Sequence, residues 1–80
     1  MDKYNPLGSY LEKQNMNQIK LSYEEIEIII GDKLPVTASN NKAWWSNNDR
    51  SHVQSAAWSD AGYLVSDITL GAKVTFTKGK

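Results

Sequence analysis

Cysteine is absent from this 80-residue chain, which excludes a disulfide framework, a thiolate metal site and a cysteine nucleophile. Histidine occurs once, at His52. A structural zinc site, which takes Cys and His ligands together, is therefore disfavoured as well, and no metal or cofactor is expected. Long apolar runs are also missing. The longest, Ile28-Ile29-Ile30, falls far short of the ~20 residues a membrane span needs. Met1-Asp2-Lys3-Tyr4-Asn5 has neither the basic region nor the apolar stretch of a signal peptide, so a cytoplasmic location with no membrane contact is the default expectation. Internal repeats, linkers and low-complexity segments are lacking, and one domain over residues 1–80 follows. It stands near the lower size at which a core suffices without staples.

Net charge is lacking too, since nine cationic residues balance nine carboxylates. Strong non-specific nucleic-acid binding rests on counterion release by Lys and Arg, so a neutral chain argues against it. The charges are nevertheless segregated: residues 1–32 carry net −3 and residues 33–80 net +3. That distribution leaves room for a modest basic face, or for a solvated surface with no further meaning.

What the chain does have is tryptophan. Residues 43–58 hold all three, Trp44, Trp45 and Trp58, with the only arginine, Arg50, and the only histidine. Each indole buries roughly 200 Å², on the order of several kcal/mol at ~25 cal/mol/Å². That is large against the ~5–10 kcal/mol a small domain holds in reserve. Between the Trp pair and Trp58 runs the polar stretch Ser46 to His52. The pattern reads as a polar recognition surface pinned by aromatic anchors. Adjacent tryptophans cannot face one side of a helix or strand, so at least one of Trp44 and Trp45 belongs to the core and the other to an edge or a partly exposed position.

Along the chain, Asn5-Pro6 reads as an N-cap and first helical residue. Leu7, Tyr10 and Leu11 form the apolar stripe that follows, and Gly8 weakens that helix by up to ~1 kcal/mol. Gln18-Ile19-Lys20-Leu21 alternates as a short strand. Ser22 and Glu25 form a capping box ahead of Ile26, Ile29 and Ile30, and Gly31 stops this second helix. Pro35 opens a third through Val36, Thr37 and Ala38, which outlines a helix-turn-helix. Asp49 or Ser51 caps a fourth, His52 to Ala61, whose small stripe Val53, Ala57, Ala61 approaches its neighbours, with Gln54 and Trp58 on the adjoining stripe, while His52, Ser55 and Ser59 face away. Tyr63 to Leu70 and Lys73 to Thr77 are strands around Gly71-Ala72. The apolar parity changes across Ser66-Asp67, as a bulge would require. The expected class is α+β: a winged-helix-like layout of three to four short helices with a short strand, residues 19–21, pairing against a C-terminal β-hairpin.

Taken together, Tyr4-Asn5-Pro6-Leu7, Leu21-Ser22-Tyr23-Glu24-Glu25-Ile26-Glu27 through Leu34-Pro35, and Trp44-Trp45-Ser46-Asn47 with His52, Gln54, Ala57-Trp58 and Ala61-Gly62-Tyr63 resemble a family of small bacterial domains of unknown function. Nearly the whole chain takes part. The resemblance implies that Asn47, His52 and Gln54 matter as a group, and it brings no activity with it. Ser59, where an apolar residue is expected after Trp58, and a longer polar loop before His52 depart from the pattern.

Asp49, Ser51 and His52 are the one local constellation with catalytic residue types. Consecutive loop residues rarely meet the geometry a nucleophile, base and orienting group need, and a capped helix start explains Asp49 and Ser51, so no enzyme is expected. A DNA-binding module fits better. Asn47 and Gln54 match adenine and Arg50 matches guanine, beside a helix start where helix-turn-helix proteins touch base edges. Ser51 and His52 stand at the same helix end, where main-chain amides take phosphates. Lys42 and Lys73 would contact the DNA backbone as a wing does. Two alternatives stay open. Asn47 and Gln54 would instead bond the loop backbone and hold the Trp pair in place, or an exposed member of Trp44 and Trp45 beside Arg50 would anchor a protein partner, as in a small inhibitor or adaptor.

Overall fold

A computed structural model of the protein describes residues 3–47 and 53–79. The expected capping residues Asp49 and Ser51, and His52 at the expected start of the fourth helix, lie outside them. The first helix, α1, is Asn5–Gln14. It starts one residue earlier than the Asn-Pro signal predicts. Tyr4 supplies the flanking carbonyl, to which the amides of Leu7 and Gly8 donate at 3.0 and 3.4 Å, and its buried ring fixes the entry. Pro6 has no amide hydrogen to leave unsatisfied there.

Strand β1, Gln18–Ser22, runs straight into helix α2, Tyr23–Ile30. The capping box is complete: the Glu25 amide donates to Ser22 Oγ at 3.0 Å and the Ser22 amide to Glu25 Oε1 at 2.8 Å. Gly31 ends the helix in the left-handed region at φ 72°, which only glycine adopts without a Cβ penalty. Helix α3, Val36–Asn40, is followed by a 3₁₀ turn, Lys42–Trp45. Helix α4 is Val53–Asp60. Strands β2, Tyr63–Thr69, and β3, Lys73–Lys78, close the chain. The fold is α+β, with a three-stranded antiparallel sheet in the order β1-β3-β2. The register shifts between Val65 and Asp67, the bulge that the change of apolar parity predicts.

The inward face of the sheet, with Ile19, Leu21, Val74 and Phe76, meets Leu7 and Leu11 of α1, Ile26 and Ile30 of α2, and Trp58 of α4 in one core. An aromatic row crosses it. Tyr4 lies edge-on to Trp44 at 5.8 Å and Trp44 edge-on to Trp45 at 4.7 Å. Trp45 stacks on Trp58 at 5.7 Å, and Trp58 meets Phe76 at 5.7 Å. Each such pair adds ~0.5–1.5 kcal/mol beyond its area. Tyr23 ties three elements together: its amide donates to the Ala72 carbonyl in the hairpin turn at 2.9 Å, and its hydroxyl to the Ala38 carbonyl of α3 at 2.5 Å.

Helix α4 is turned differently from the sequence expectation. Gln54, Ser55 and Trp58 are its buried residues, while Val53 is exposed. Burying Trp58 completely removes far more apolar area from water than a Val-Ala-Ala stripe could, so the indole sets the rotation and carries Ser55 inward. The small residues still serve a close crossing. A Cβ on Gly8 of α1 would stand 2.8 Å from the Ala57 carbonyl oxygen, so glycine is what lets α1 lie against α4.

Candidate functional site

Asn47 and Gln54, the two amides proposed as base readers, turn inward. Asn47 Oδ1 accepts from the Trp58 indole at 3.0 Å and from the Val65 amide at 2.8 Å, while its Nδ2 donates to the Val65 carbonyl at 2.8 Å. The physical reason lies in β2. The ladder turns the Val65 peptide groups away from β3, toward the sheet edge, and a primary amide supplies one donor and one acceptor in the plane of a peptide. The same oxygen satisfies the indole N–H of Trp58, whose burial would otherwise leave a donor without a partner. Gln54, only 5% exposed, donates from Nε2 to the Trp44 carbonyl at 3.2 Å. Gln54 thus holds the backbone of the Trp pair, as the open alternative had it, whereas Asn47 holds strand β2 and Trp58 in place of its own loop, and both amides are taken away from an outward contact.

The Trp pair divides as its adjacency requires. Trp45 is 3% exposed, and its indole N–H is shared between the Ala38 carbonyl at 2.9 Å and the Tyr23 hydroxyl at 3.1 Å. It offers nothing to a partner, which corrects its candidacy as an anchor. Trp44 is half-buried between Tyr4 and Trp45 and keeps some surface. Lys42 on the 3₁₀ turn and Lys73 at the start of β3 are both exposed. Arg50, Ser51 and His52 lie outside the described residues. The chain therefore places two fixed posts, Asn47 and Gln54, at either side of the stretch that carries them.

Three features carried no sequence signal. Ser55 is 1% exposed, and its Oγ has no hydrogen-bond partner among the described residues. Lys3 and Asp32 form an exposed ion pair at 3.2 Å. The Lys33 amide, at 2.8 Å, and the Lys3 ammonium hold the Asp32 carboxyl below its ordinary pKa, and the same contact raises that of Lys3. An apolar cleft beside β1 is the third. Among the described residues no three His, Cys, Asp or Glu side chains converge as a metal site would require. No helix among them is long and apolar enough to cross a membrane.

The family model of a domain of unknown function, DUF7662, matches residues 4–80. No curated protein and no solved structure matches the chain.

Proposed function

The chain belongs to the family of the domain of unknown function DUF7662, and we propose that it works as a winged-helix-like, non-catalytic module that binds DNA. The observation that carries the reading is topological. Helix, strand, helix, helix, helix and hairpin follow in that order, with the sheet ordered β1-β3-β2. In such a layout α4 takes the part of the helix whose N-terminal residues meet base edges in helix-turn-helix proteins, and the β2–β3 hairpin takes the part of the wing. Arg50, Ser51 and His52, just ahead of α4, are the contacts to bases and phosphates. Lys42 and Lys73 contact the phosphate backbone. Asn47 and Gln54 serve by fixing the ends of that stretch, not by touching DNA.

A labelled duplex at ~50 mM salt tests this, read by fluorescence anisotropy against micromolar protein. Binding is expected for the natural chain and is lost when Lys42, Arg50 and Lys73 are replaced together by alanine, with an unchanged melting curve. No anisotropy change with folded natural protein removes the reading. A second reading, docking on a protein partner through Trp44 with Arg50, is favoured by the zero formal charge. A retained protein partner lost on Trp44→Ala, without DNA affinity, supports it instead.

A further inference from the structure

The sheet has two edges, and a side chain covers part of one. At β2 the outward N–H and C=O of Val65 are both closed by the Asn47 amide. At β1 the parity of the ladder shows which groups face out. The Lys78 amide donates to the Asn17 carbonyl at 2.8 Å and the Tyr23 amide to the Ala72 carbonyl at 2.9 Å. The β1–β3 register runs between these two bonds. Antiparallel ladders alternate bonded and non-bonded pairs, so residues 17, 19, 21 and 23 bond β3. The N–H and C=O of Gln18 and Lys20 therefore point to the open edge. Ser22, the next residue of that parity, already donates its amide to Glu25. No described residue bonds the outward groups of Gln18 and Lys20. Beside this edge, on the inner side where Leu21 faces, lies a cleft of about 170 Å³ lined by Tyr10, Leu21, Glu25, Ile28 and Ile29. Ile28 is 76% exposed there.

We propose that this edge and cleft receive an extended peptide segment of a partner protein, which joins β1 as a fourth strand. Main-chain bonds to Gln18 and Lys20 supply the docking, and alternate side chains supply the selectivity, as in strand addition generally. The residue opposite Lys20 shares its outer face and is acidic, because Lys20 has no ion-pair partner among the described residues. Its two neighbours turn inward over the cleft and are apolar, to match the Tyr10, Leu21, Ile28 and Ile29 side chains that line it. A second copy of this chain is the poorer occupant. Two β1 strands paired about their centre set lysine opposite lysine, the like-charge device that keeps edges apart. The proposal stands independently of the DNA reading, since it uses neither α4 nor the hairpin.

The probe is an acetylated, amidated five-residue peptide, Thr-Val-Glu-Val-Thr, with Thr-Val-Lys-Val-Thr as its counterpart, titrated into the ¹⁵N-labelled full chain. The Glu peptide is expected to shift the amide signals of Gln18 and Lys20 and to slow their hydrogen exchange, and to bind about two- to five-fold better than the Lys peptide. Lys20→Glu, an exposed substitution, reverses that preference. Gln18→Pro, which removes an outward donor at the first position of the strand where proline is tolerated, abolishes binding of both. Ile28→Ser weakens both equally. Shifts confined to other surfaces, or a preference unmoved by Lys20→Glu, overturn the proposal. So does a dimer of the free chain that Gln18→Pro dissociates, which would give the edge to a second copy.

Discussion

At the scale of single residues, Asn47 is the most consequential side chain in the described structure. One amide satisfies the indole of a buried tryptophan and both polar groups of a bulged strand residue. Asn47→Ala leaves buried donors and an acceptor without partners, at ~1–3 kcal/mol for each group deprived. A loss of about 3 kcal/mol is expected, which lowers the thermal midpoint by roughly 12–24 °C in a domain this small. Asn47→Asp keeps the acceptor but sets a carboxylate against the Val65 carbonyl, so it does not rescue. Ser55 gives the opposite prediction. Its buried hydroxyl has no partner among the described residues, so Ser55→Ala removes an unmet polar group and improves helix propensity. A gain of about 0.5–1 kcal/mol in urea denaturation is expected. The Asp32 carboxyl has a lowered folded pKa. Its contribution is present above the unfolded pKa and is lost as pH falls through the folded one. Acid titration of Asp32→Asn should accordingly show a shallower loss of stability at the acid end than the natural chain, with the two curves parallel near neutrality. The backbone-holding role of Asn47 was legible only as one of two readings, and those of Ser55 and Asp32 were not legible at all. An asparagine in a polar run reads the same whether its amide faces solvent or a strand edge, and the difference is made by a bulge eighteen residues away.

At the scale of elements, much more was legible, because several elements carry their own local chemistry. Ser22 and Glu25 announce α2, Gly31 ends it, the parity break at Ser66-Asp67 places the bulge, and the alternation of Gln18 to Leu21 gives β1. What failed was the rotation of α4. A stripe of Val53, Ala57 and Ala61 looks like a packing face by spacing, but small side chains carry little area, and Trp58 outweighs them. Gly8 shows the complementary case. Its propensity cost was visible, while its reason, the Ala57 carbonyl across the α1–α4 crossing, was not. Gly8→Ala is expected to destabilise by about 1–3 kcal/mol, as overpacking does, even though propensity alone predicts a gain of ~1 kcal/mol. Guanidinium melts of that variant decide between the two signs.

At the scale of the whole molecule, the order of elements and the three-stranded sheet follow from those local signals and from the need of a lone hairpin to cover a core. The surface is where sequence reading was least able to discriminate. Zero formal charge conceals an N-terminal part at −3 and a C-terminal part at +3, and the proposed DNA contacts Lys42, Arg50 and Lys73 all lie in the second. The proposed contacts include only three of that part's six cations, so binding is modest and its salt dependence is countable. The most direct measurement is the slope of log K against log salt for a duplex, in the natural chain and in Arg50→Ala. Three neutralised phosphates predict a slope of about −3, falling to about −2 in the variant. A slope near zero, or one that Arg50→Ala leaves unchanged, would contradict the assignment of this domain to DNA.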